Sequence, residues 1–571
     1  MPPFKIQYDD NETWYLVDSG TLAIVPSESV LPAGFDPYDQ KMFNQDIIDI
    51  GENGEVVRIA SLLRNQKSIS GVLVLEGNKA YGHSKSGKRM LYKCIPDDRR
   101  VPPFLVPYSL DVSGFSKKFV NKYVVFKFKE WDGEKPVGEL VVTIGDVNVL
   151  ENFYEYQLYC KNLNASIQDF TAETKKRLGS GIENTIEERI IADYGVDDRR
   201  GWTGIYTIDP VGSKDFDDAF GLSASALDGC VMLSVYISNV ALWMDALKLW
   251  TSFSQRISTI YLPDRKRPML PSVLSDILCS LLENKVRFAF TMDIDVNEVT
   301  GEIVGDVTFK NTSIVVERNF RYDEADLEGC HVYQQALRLV RKMSPDVVTD
   351  SHEFIAYIMI LMNYKSAVRF AERKNGIYRS FKFKSGLEFP ESLPKDVSMS
   401  LRLWHSNGSS YIKYDGEKVH HMLKFNEYVH ITSPIRRLVD LLNIIQLMDN
   451  EGLVAMSGDM RGFYERWTSD ESLAYINQSM RSIRKVQNDC ALLAMCVTSP
   501  EVMDKVYAGF VFEAMERNDG LWWYIVYVPE LKLSSKFIYY SKMDLYSEHK
   551  FKIYLFEDKD ALKKKIRMEK V

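Results

Sequence analysis

Short apolar runs separated by Gly, Pro, Asn and Asp dominate the first part of the chain. Runs of this kind predict β-strands. The first set lies between Trp14 and about Ile69 and reads WYLV, TLAIV, DIIDI and EVVRIASLL; the second reads GVLVLE, KAYGH, RMLYKCI, YVVFKFKEW and GELVVTIG and ends near Cys160. Each set has the length and strand count of a small OB-type barrel, a fold that offers an open face to single-stranded nucleic acid. Two small β domains of another kind fit the pattern equally well.

Further along, the pattern turns helical, then mixed, and finally strand-like again. A helical, charged connector is expected at residues 166–200, and the clearest helix of the large mixed region runs from about His352 to Glu372, with Ser351 as N-cap and Asn375-Gly376 as its stop. From about Lys505, the runs VYAGFVFEA, WWYIVYVPE and KFIYYSK predict a third barrel-sized unit. The predicted domains are residues 1–65, 66–165, 166–504 (with connector 166–200) and 505–571.

Composition narrows the class of protein. The 571 residues are 45% hydrophobic and 26% charged, as expected for a soluble chain of several globular domains. A net charge of -8 argues against a uniformly basic coat for nucleic acid, but does not exclude a local basic channel. The seven cysteines form no CxxC pair and the eight histidines no HExxH, so no transition-metal site is indicated and a reducing compartment is expected. No apolar stretch is long enough for a bilayer, and we expect an intracellular, cytoplasmic protein without membrane contact.

Four aspartates fall within ten residues of one segment, IDPVGSKDFDDAF, at residues 208–220. They are Asp209, Asp215, Asp217 and Asp218. Carboxylates grouped in this way suit hard divalent cations that must also reach a substrate phosphate. The alternative is a solvated acidic turn. Because apolar residues alternate with the acids, the edge of a core is the better interpretation, and the spacing does not match an EF-hand.

A second segment, YVHITSPIRRLVDL at residues 428–441, places two arginines where a helix is expected to begin. Ser433 is a candidate N-cap and Pro434 a candidate first helical residue, which puts Arg436 and Arg437 in the first turn. A cation is unfavourable there unless an anion such as phosphate docks at the helix start. The alternative is an arginine paired with Asp440 or Glu427.

Together these segments resemble the RNB family of exoribonucleases, the group of RNase II, RNase R and the Dis3-like enzymes. The IDPVGSKDFDDAF and YVHITSPIRRLVDL blocks carry the resemblance, and the intervening YLP, PMLP and LSDILCSL runs at residues 261–281 add to it. The resemblance is strongest to the Dis3-like branch, without its endonuclease PIN domain. It implies a multidomain α+β fold: three OB-type β-barrels, two cold-shock and one S1, around a large mixed α/β RNB catalytic domain.

The resemblance also implies roles for individual residues. Asp209, Asp215, Asp217 and Asp218 stand at the family's magnesium-binding and catalytic aspartates, and Arg436 at the arginine that braces the scissile phosphate. RNA contacts are expected from Tyr261 and Tyr322, which would stack on the 3′-terminal nucleotides, and from Ser433, Arg436 and Arg437. Among the positions that depart from the family pattern, Asn239 replaces an acid and Tyr357 a glutamate, with Glu353 one helical turn away as its candidate substitute.

The expected activity is therefore processive 3′-to-5′ hydrolysis of single-stranded RNA to 5′-nucleoside monophosphates, with two Mg2+ ions that Mn2+ can replace. The alternative is an RNB-fold protein that binds RNA or a partner without hydrolysis, a hypothesis that the substitutions at Asn239 and Tyr357 motivate. The expected partners are single-stranded RNA and a helicase or RNA-decay complex, and the chain is expected to be monomeric.

Overall fold

The strand-like runs of the N-terminal region form two separate sheets. In the first, apolar residues alternate along the strands and fill one small core that includes Phe4, Ile6 and Leu16. The sheet has the order β3-β2-β1-β4-β5 and consists of β1 (Phe4–Tyr8), β2 (Trp14–Asp18), β3 (Ile24–Val25), β4 (Ile47–Ile50) and β5 (Val56–Ala60). The short helix α1 (Leu62–Asn65) follows.

The second sheet closes on itself, because β6 pairs with both β10 and β8. Its order is β6-β10-β11-β9-β8-β7, and its strands are β6 (Ile69–Leu73), β7 (Ala80–His83), β8 (Met90–Pro96), β9 (Phe104–Tyr108), β10 (Lys122–Glu130) and β11 (Val137–Asp146). Helix α2 (Leu150–Cys160) follows it. A ring cluster of Phe104, Phe126 and Trp131 lies in the barrel interior.

The central region is built on one large mixed sheet with the order β12-β19-β18-β15-β14-β13-β20. Its strands are β12 (Asp197–Asp198), β13 (Ile205–Asp209), β14 (Asp218–Ala224), β15 (Cys230–Ser238), β18 (Val286–Asn297), β19 (Ile303–Val315) and β20 (Arg318–Arg321). Two short hairpins accompany it: β16 (Ile260–Tyr261) with β17 (Lys266–Arg267), and β21 (Ile377–Ser380) with β22 (Ser410–Lys413).

Helices surround this sheet. They are α3 (Gln168–Leu178), α4 (Glu183–Asp193), α5 (Val240–Ala246), α6 (Ala325–Glu328), α7 (His331–Met343), α8 (Ser351–Arg373), α9 (Lys395–His405), α10 (Leu438–Asn450), α11 (Gly458–Trp467) and α12 (Asp470–Thr498). Helix α10 is buried along its length from Leu438 to Met448, which explains its run of apolar residues on every face. Among the described residues, no helix has both the length and the apolar character needed to cross a membrane.

A third small sheet ends the chain. It has the order β25-β24-β23-β26-β27, with β23 (Tyr507–Glu516), β24 (Trp522–Val528), β25 (Leu533–Tyr539), β26 (Glu548–Asp558) and β27 (Lys563–Lys570). Its core includes Val511, Tyr524 and Phe551. The fold therefore comprises several small β-barrel-like domains and a large α/β region.

This architecture comes from a computed structural model, in which the chain divides into two compact units. One comprises residues 1–164 and 488–571, and the other residues 165–487. The structure describes residues 3–9, 13–51, 53–85, 87–110, 119–179, 183–344, 348–406, 408–517, 519–558 and 563–571.

The long helix α8 begins at Ser351, and its N-cap lies one residue earlier than predicted. The Asp350 carboxylate, not the Ser351 hydroxyl, accepts the backbone N–H of Glu353 at 2.8 Å, so Ser351 is the first helical residue. Asp is as good an N-cap as Ser, and here the acid stands next to it in the sequence. At the other end Lys374 is left-handed (φ 54°), and Gly376 has φ 89°, close to the ring of Phe370. The predicted stop at Asn375-Gly376 follows the helix directly.

Candidate active site

A cavity of about 910 Å³ opens in the unit formed by residues 165–487. The predicted carboxylate and arginine segments both line it, although they lie far apart in the sequence. Its wall includes the 208–218 segment, the hairpin residues Tyr261 and Lys266, part of α8, and the 428–437 segment. All nine predicted site residues, namely Asp209, Asp215, Asp217, Asp218, Tyr261, Tyr322, Ser433, Arg436 and Arg437, are among its lining residues.

Strand pairing brings two of the aspartates to the same edge of the central sheet. Asp209 is the last residue of β13 and Asp218 the first of β14, and these neighbouring strands are antiparallel. Strand β20 runs parallel to β13 on its other side, and the backbone N–H of Tyr322 donates to the carbonyl of Asp209 at 3.1 Å. The residues joining β13 to β14 carry the other two aspartates, so this connection forms the acidic wall of the cavity.

Asp217 binds the arginine segment directly. One carboxylate oxygen accepts the backbone N–H of Ile435 at 2.9 Å, and the other accepts Nε–H of Arg436 at 3.0 Å. The Asp217 side chain is only 3% exposed, and burial raises its pKa to about 7 although Arg436 acts in the opposite direction. The ion pair therefore fixes the position of the arginine relative to the acids.

Asp215 is paired with a different cation. Its Oδ1 accepts a hydrogen bond from the ammonium of Lys266 at 2.8 Å, and its Oδ2 accepts the hydroxyl of Tyr261 at 3.1 Å. Lys266 also donates to Asp276 at 2.9 Å. Lys266 and Asp276 were not predicted from the sequence; the signal available was the short hairpin in which Lys266 stands opposite Tyr261.

Asp209 and Asp218 form no ion pair with any residue that the structure describes. Burial, together with the nearby Asp218 charge, raises the pKa of Asp209 to about 8, and burial likewise raises the pKa of Asp218 to about 6. The buried Oδ2 of Asp209 has no hydrogen-bond partner within the described part of the chain. An unpartnered buried carboxylate oxygen beside a second carboxylate is what a hard cation would stabilise, so this pair fits a divalent ion.

The four carboxylates do not all fit such an ion as they stand. Within the described ranges, no three acidic, histidine or cysteine side chains are grouped closely enough to hold a metal. The reason is that the Asp215 carboxylate is paired with Lys266 and the Asp217 carboxylate with Arg436.

The arginine segment corrects the predicted helix start. Helix α10 begins at Leu438, so Pro434 and both arginines precede it. Ser433 is not its N-cap: the Ser433 N–H donates to Asp440 at 2.8 Å, and its hydroxyl accepts a hydrogen bond from Arg436 at 3.0 Å. Arg437 donates to Asp440 at 2.7 Å, as the pairing alternative anticipated for one arginine. The buried Asp440 carboxylate therefore positions the arginine segment, a role that the sequence assigned to a helix start at Ser433.

The two candidate stacking tyrosines differ in their surroundings. Tyr261 is 42% exposed at the cavity wall, and its hydroxyl is held by Asp215. The ring of Tyr322 is stacked on the imidazole of His352, with centroids 3.8 Å apart and planes 9° from parallel. One face of Tyr322 is therefore already covered.

The positions that depart from the family pattern do not supply an acid to the cavity. Asn239 is buried, caps α5 by accepting the N–H of Leu242 at 3.3 Å, and does not line the cavity. Tyr357 is also outside the lining residues. The expectation that Glu353 reaches the same place is wrong, because its carboxylate accepts the N–H and hydroxyl of Thr349 at 2.7 Å beside the start of α8.

Asn363 is a further lining residue with a positioning role that the sequence did not predict. It lies on α8, donates to the hydroxyl of Tyr428 at 2.9 Å and accepts the N–H of Ile431 at 2.9 Å. Helix α8 thereby holds the segment that carries Arg436.

Fold and site together define a multidomain protein of β-barrel-like and α/β parts, in which aspartates from one strand connection meet an arginine in an open cavity. Residues 200–339 match the RNB domain family. The chain therefore carries an RNB domain, and the resemblance to the RNB family found in the sequence is confirmed.

Comparison with individual proteins agrees with this. Ribonuclease R of Buchnera aphidicola subsp. Schizaphis graminum is 26% identical over 315 residues, which cover 42% of this chain and 43% of that protein. The matched region thus spans less than half of that relative. The fold is similar to Mycoplasma genitalium RNase R in complex with ribose-methylated single-stranded RNA, with a TM-score of 0.68, 15% identity, and coverage of 99% of this chain and 100% of the other. It is also similar to yeast Ssd1, described as a pseudonuclease, with a TM-score of 0.60, 13% identity, and coverage of 94% and 78%.

Proposed function

We propose that this chain is a 3′-to-5′ exoribonuclease that hydrolyses single-stranded RNA processively to 5′-nucleoside monophosphates. The observation that carries the proposal is the convergence of four aspartates and Arg436 on one open cavity of an RNB domain. Acids that hold cations and an arginine fork that binds phosphate are the parts that phosphodiester hydrolysis requires.

Arg436 is the group that would brace the scissile phosphate. Its Nε is held by Asp217 and its Nη2 by Ser433, while Nη1 has no hydrogen bond within the part of the chain that the structure describes. The side chain is 43% exposed. A guanidinium fixed at two nitrogens and free at the third is pre-organised to receive an anion, so little entropy is lost when the phosphate binds.

The proposed cofactor is Mg2+, which Mn2+ can replace. Asp209 and Asp218 would hold one ion, and Asp215 with Asp217 would contribute to a second. When bound, such ions would activate water and neutralise charge at the reacting phosphate. Tyr261 would stack on the 3′-terminal nucleotide with its exposed ring, and Tyr322 with its face away from His352.

The small barrels would guide the strand. We propose that residues 1–65 and 66–165 are cold-shock domains and residues 505–571 an S1 domain, flanking the RNB catalytic domain at 166–504. Selectivity for RNA would come from contacts to the 2′-hydroxyl. A cytoplasmic location, a monomeric state and recruitment by a helicase or RNA-decay complex belong to the same proposal.

Incubation with 5′-labelled oligo-RNA tests the activity. In the presence of Mg2+ the wild-type chain should yield a ladder that ends in a short core together with nucleoside monophosphates, and a chelator should stop it. Asp218→Asn, which breaks no ion pair of the described residues, should yield no ladder. Asp228→Asn is the matched control, because it removes an exposed acid outside the cavity and should leave the rate unchanged.

RNA binding without products from the wild-type chain would contradict the enzyme and support the alternative of a binding protein. The observation favouring that alternative is that α8 contributes no acid to the cavity.

A further inference from the structure

A lysine lies between two carboxylates inside the cavity wall. The ammonium of Lys266 is 2.8 Å from Oδ1 of Asp215 and 2.9 Å from Oδ1 of Asp276, and its side chain is 23% exposed. The lysine therefore forms two ion pairs inside the cavity wall.

Because of Lys266, the four aspartates differ in how readily they can bind a divalent ion. Both oxygens of Asp215 have partners, one in Lys266 and one in the Tyr261 hydroxyl. Asp209 and Asp218 lack a cationic partner among the described residues, and the Oδ2 of Asp209 is buried without any hydrogen bond there. A divalent ion at Asp209 and Asp218 therefore displaces no ion pair of the described residues and meets only the nearby charges of Arg436 and Arg437. At Asp215 it must displace an ammonium.

We propose that Lys266 is a built-in competitor for divalent-ion binding at Asp215, and that Asp276 is the acid that retains the ammonium when an ion displaces it. The inference rests on the proposed function, since it concerns the same carboxylates. It makes ion binding sequential: the first ion binds at Asp209 and Asp218, and the second binds more weakly because Lys266 must leave Asp215.

Asp276 makes the displacement feasible. A lysine moved from its only acid inside a cavity wall would lose most of its stabilisation, whereas Lys266 keeps a second carboxylate at 2.9 Å. The Asp276 carboxylate also accepts the hydroxyl of Ser275 at 2.6 Å, which holds it in place. Lys266 is thus a positioning residue that sets the ion affinity of Asp215.

Calorimetric titration of the metal-free full chain with Mn2+, without RNA, tests the proposal. The wild-type chain should bind one ion tightly and one weakly. Lys266→Met should raise the affinity for the weaker ion roughly tenfold, the effect of removing one charged hydrogen bond, and leave the tight ion unchanged. Lys214→Met is the matched control, because Lys214 also lines the cavity but forms no ion pair with a described residue.

Asp276→Asn provides the opposite change and does not depend on how well the lysine variant folds. It leaves Lys266 with Asp215 as its only acid among the described partners, so the weaker ion should bind more weakly still. Equal Mn2+ affinities in Lys266→Met and Lys214→Met, or stronger binding in Asp276→Asn, would overturn the competitor. Such a result would leave the proposed exonuclease intact, since that proposal is judged by the RNA ladder and the Asp218→Asn variant.

Discussion

Asp217 and Arg436 are 219 positions apart in the sequence and form an ion pair of 3.0 Å in the cavity. The contact uses Nε of the guanidinium, while Nη2 is bound by Ser433. The ammonium of a lysine lacks this planar arrangement of donors. A lysine in place of Arg436 therefore cannot bind Asp217 and Ser433 together and still face a phosphate.

Arg436→Lys and Arg436→Ala should therefore both reduce the turnover of single-stranded RNA. We expect a loss of roughly 100-fold or more in kcat, as for other groups that stabilise charge in a transition state. Single-turnover assays with labelled RNA give the rate, and circular dichroism controls for folding. Wild-type turnover by the lysine variant would exclude a role for the guanidinium geometry.

Asp209→Asn should lose activity on RNA, but its metal-free form should be more stable than the metal-free wild-type chain. The folded pKa of Asp209, about 8, lies above its ordinary 3.8, so the folded state favours the protonated acid. The associated stability is present below about pH 4 and is lost as the pH rises through about 8. The amide of the variant does not titrate. The variant should therefore become more stable relative to the wild-type chain as the pH rises from about 4 to about 8.

The measurement is thermal unfolding in chelator at pH 5 and pH 8.5. At the higher pH we expect the variant to melt roughly 2–4 °C above wild type, the shift that about 1 kcal/mol gives in a large domain. Mg2+ should stabilise the wild-type chain more than the variant and remove the difference. A variant that melts lower at pH 8.5 would show that Asp209 is not a destabilising charge.

Asp440→Asn tests the buried acid behind the arginine segment. Its carboxylate is fully buried and accepts both the Ser433 N–H and the Arg437 guanidinium. The amide leaves Arg437 without its acid, and breaking a buried pair in this way costs about 3–5 kcal/mol. Urea unfolding should register this loss, and the rate should fall with it because Ser433 also positions Arg436. The exposed Asp228→Asn serves as the control and should unfold as wild type does.

Two variants of Tyr261 separate the contribution of its ring from that of its hydroxyl. Tyr261→Phe keeps the ring that would stack on a base and loses only the hydrogen bond to Asp215. Tyr261→Ala removes both, and stacking is worth about 1–3 kcal/mol per base. We expect a raised KM for the alanine variant and a nearly unchanged KM for phenylalanine. Equal KM values for the two variants would rule out stacking by this ring.

The sequence predicted the site better than it predicted the local structure around it. Acid spacing and family resemblance identified nine of the residues that line the cavity. They could not reveal Lys266 and Asp276, because a lysine becomes informative only when folding brings two carboxylates to it. The helix start at Ser433 was predicted wrongly, since the sequence does not show that Asp440 turns back to bind the Ser433 N–H.

Among the strands, β9 escaped prediction for a simple reason. It contains Pro107, and proline within an apolar run argues against a strand.

The connection between β13 and β14 has a fixed length, because the ends of both strands are set by the sheet. Asp217 reaches Arg436 from this connection, whereas Asp209 and Asp218 belong to the strands themselves. A single residue inserted after Gly212, whose φ of 85° already marks a turn, would leave the strands paired yet shift Asp215 and Asp217 out of phase with their partners. The proposed activity is thus far more sensitive to insertions and deletions in this connection than folding is, so the gain of one codon here should give a folded protein that is inactive on RNA.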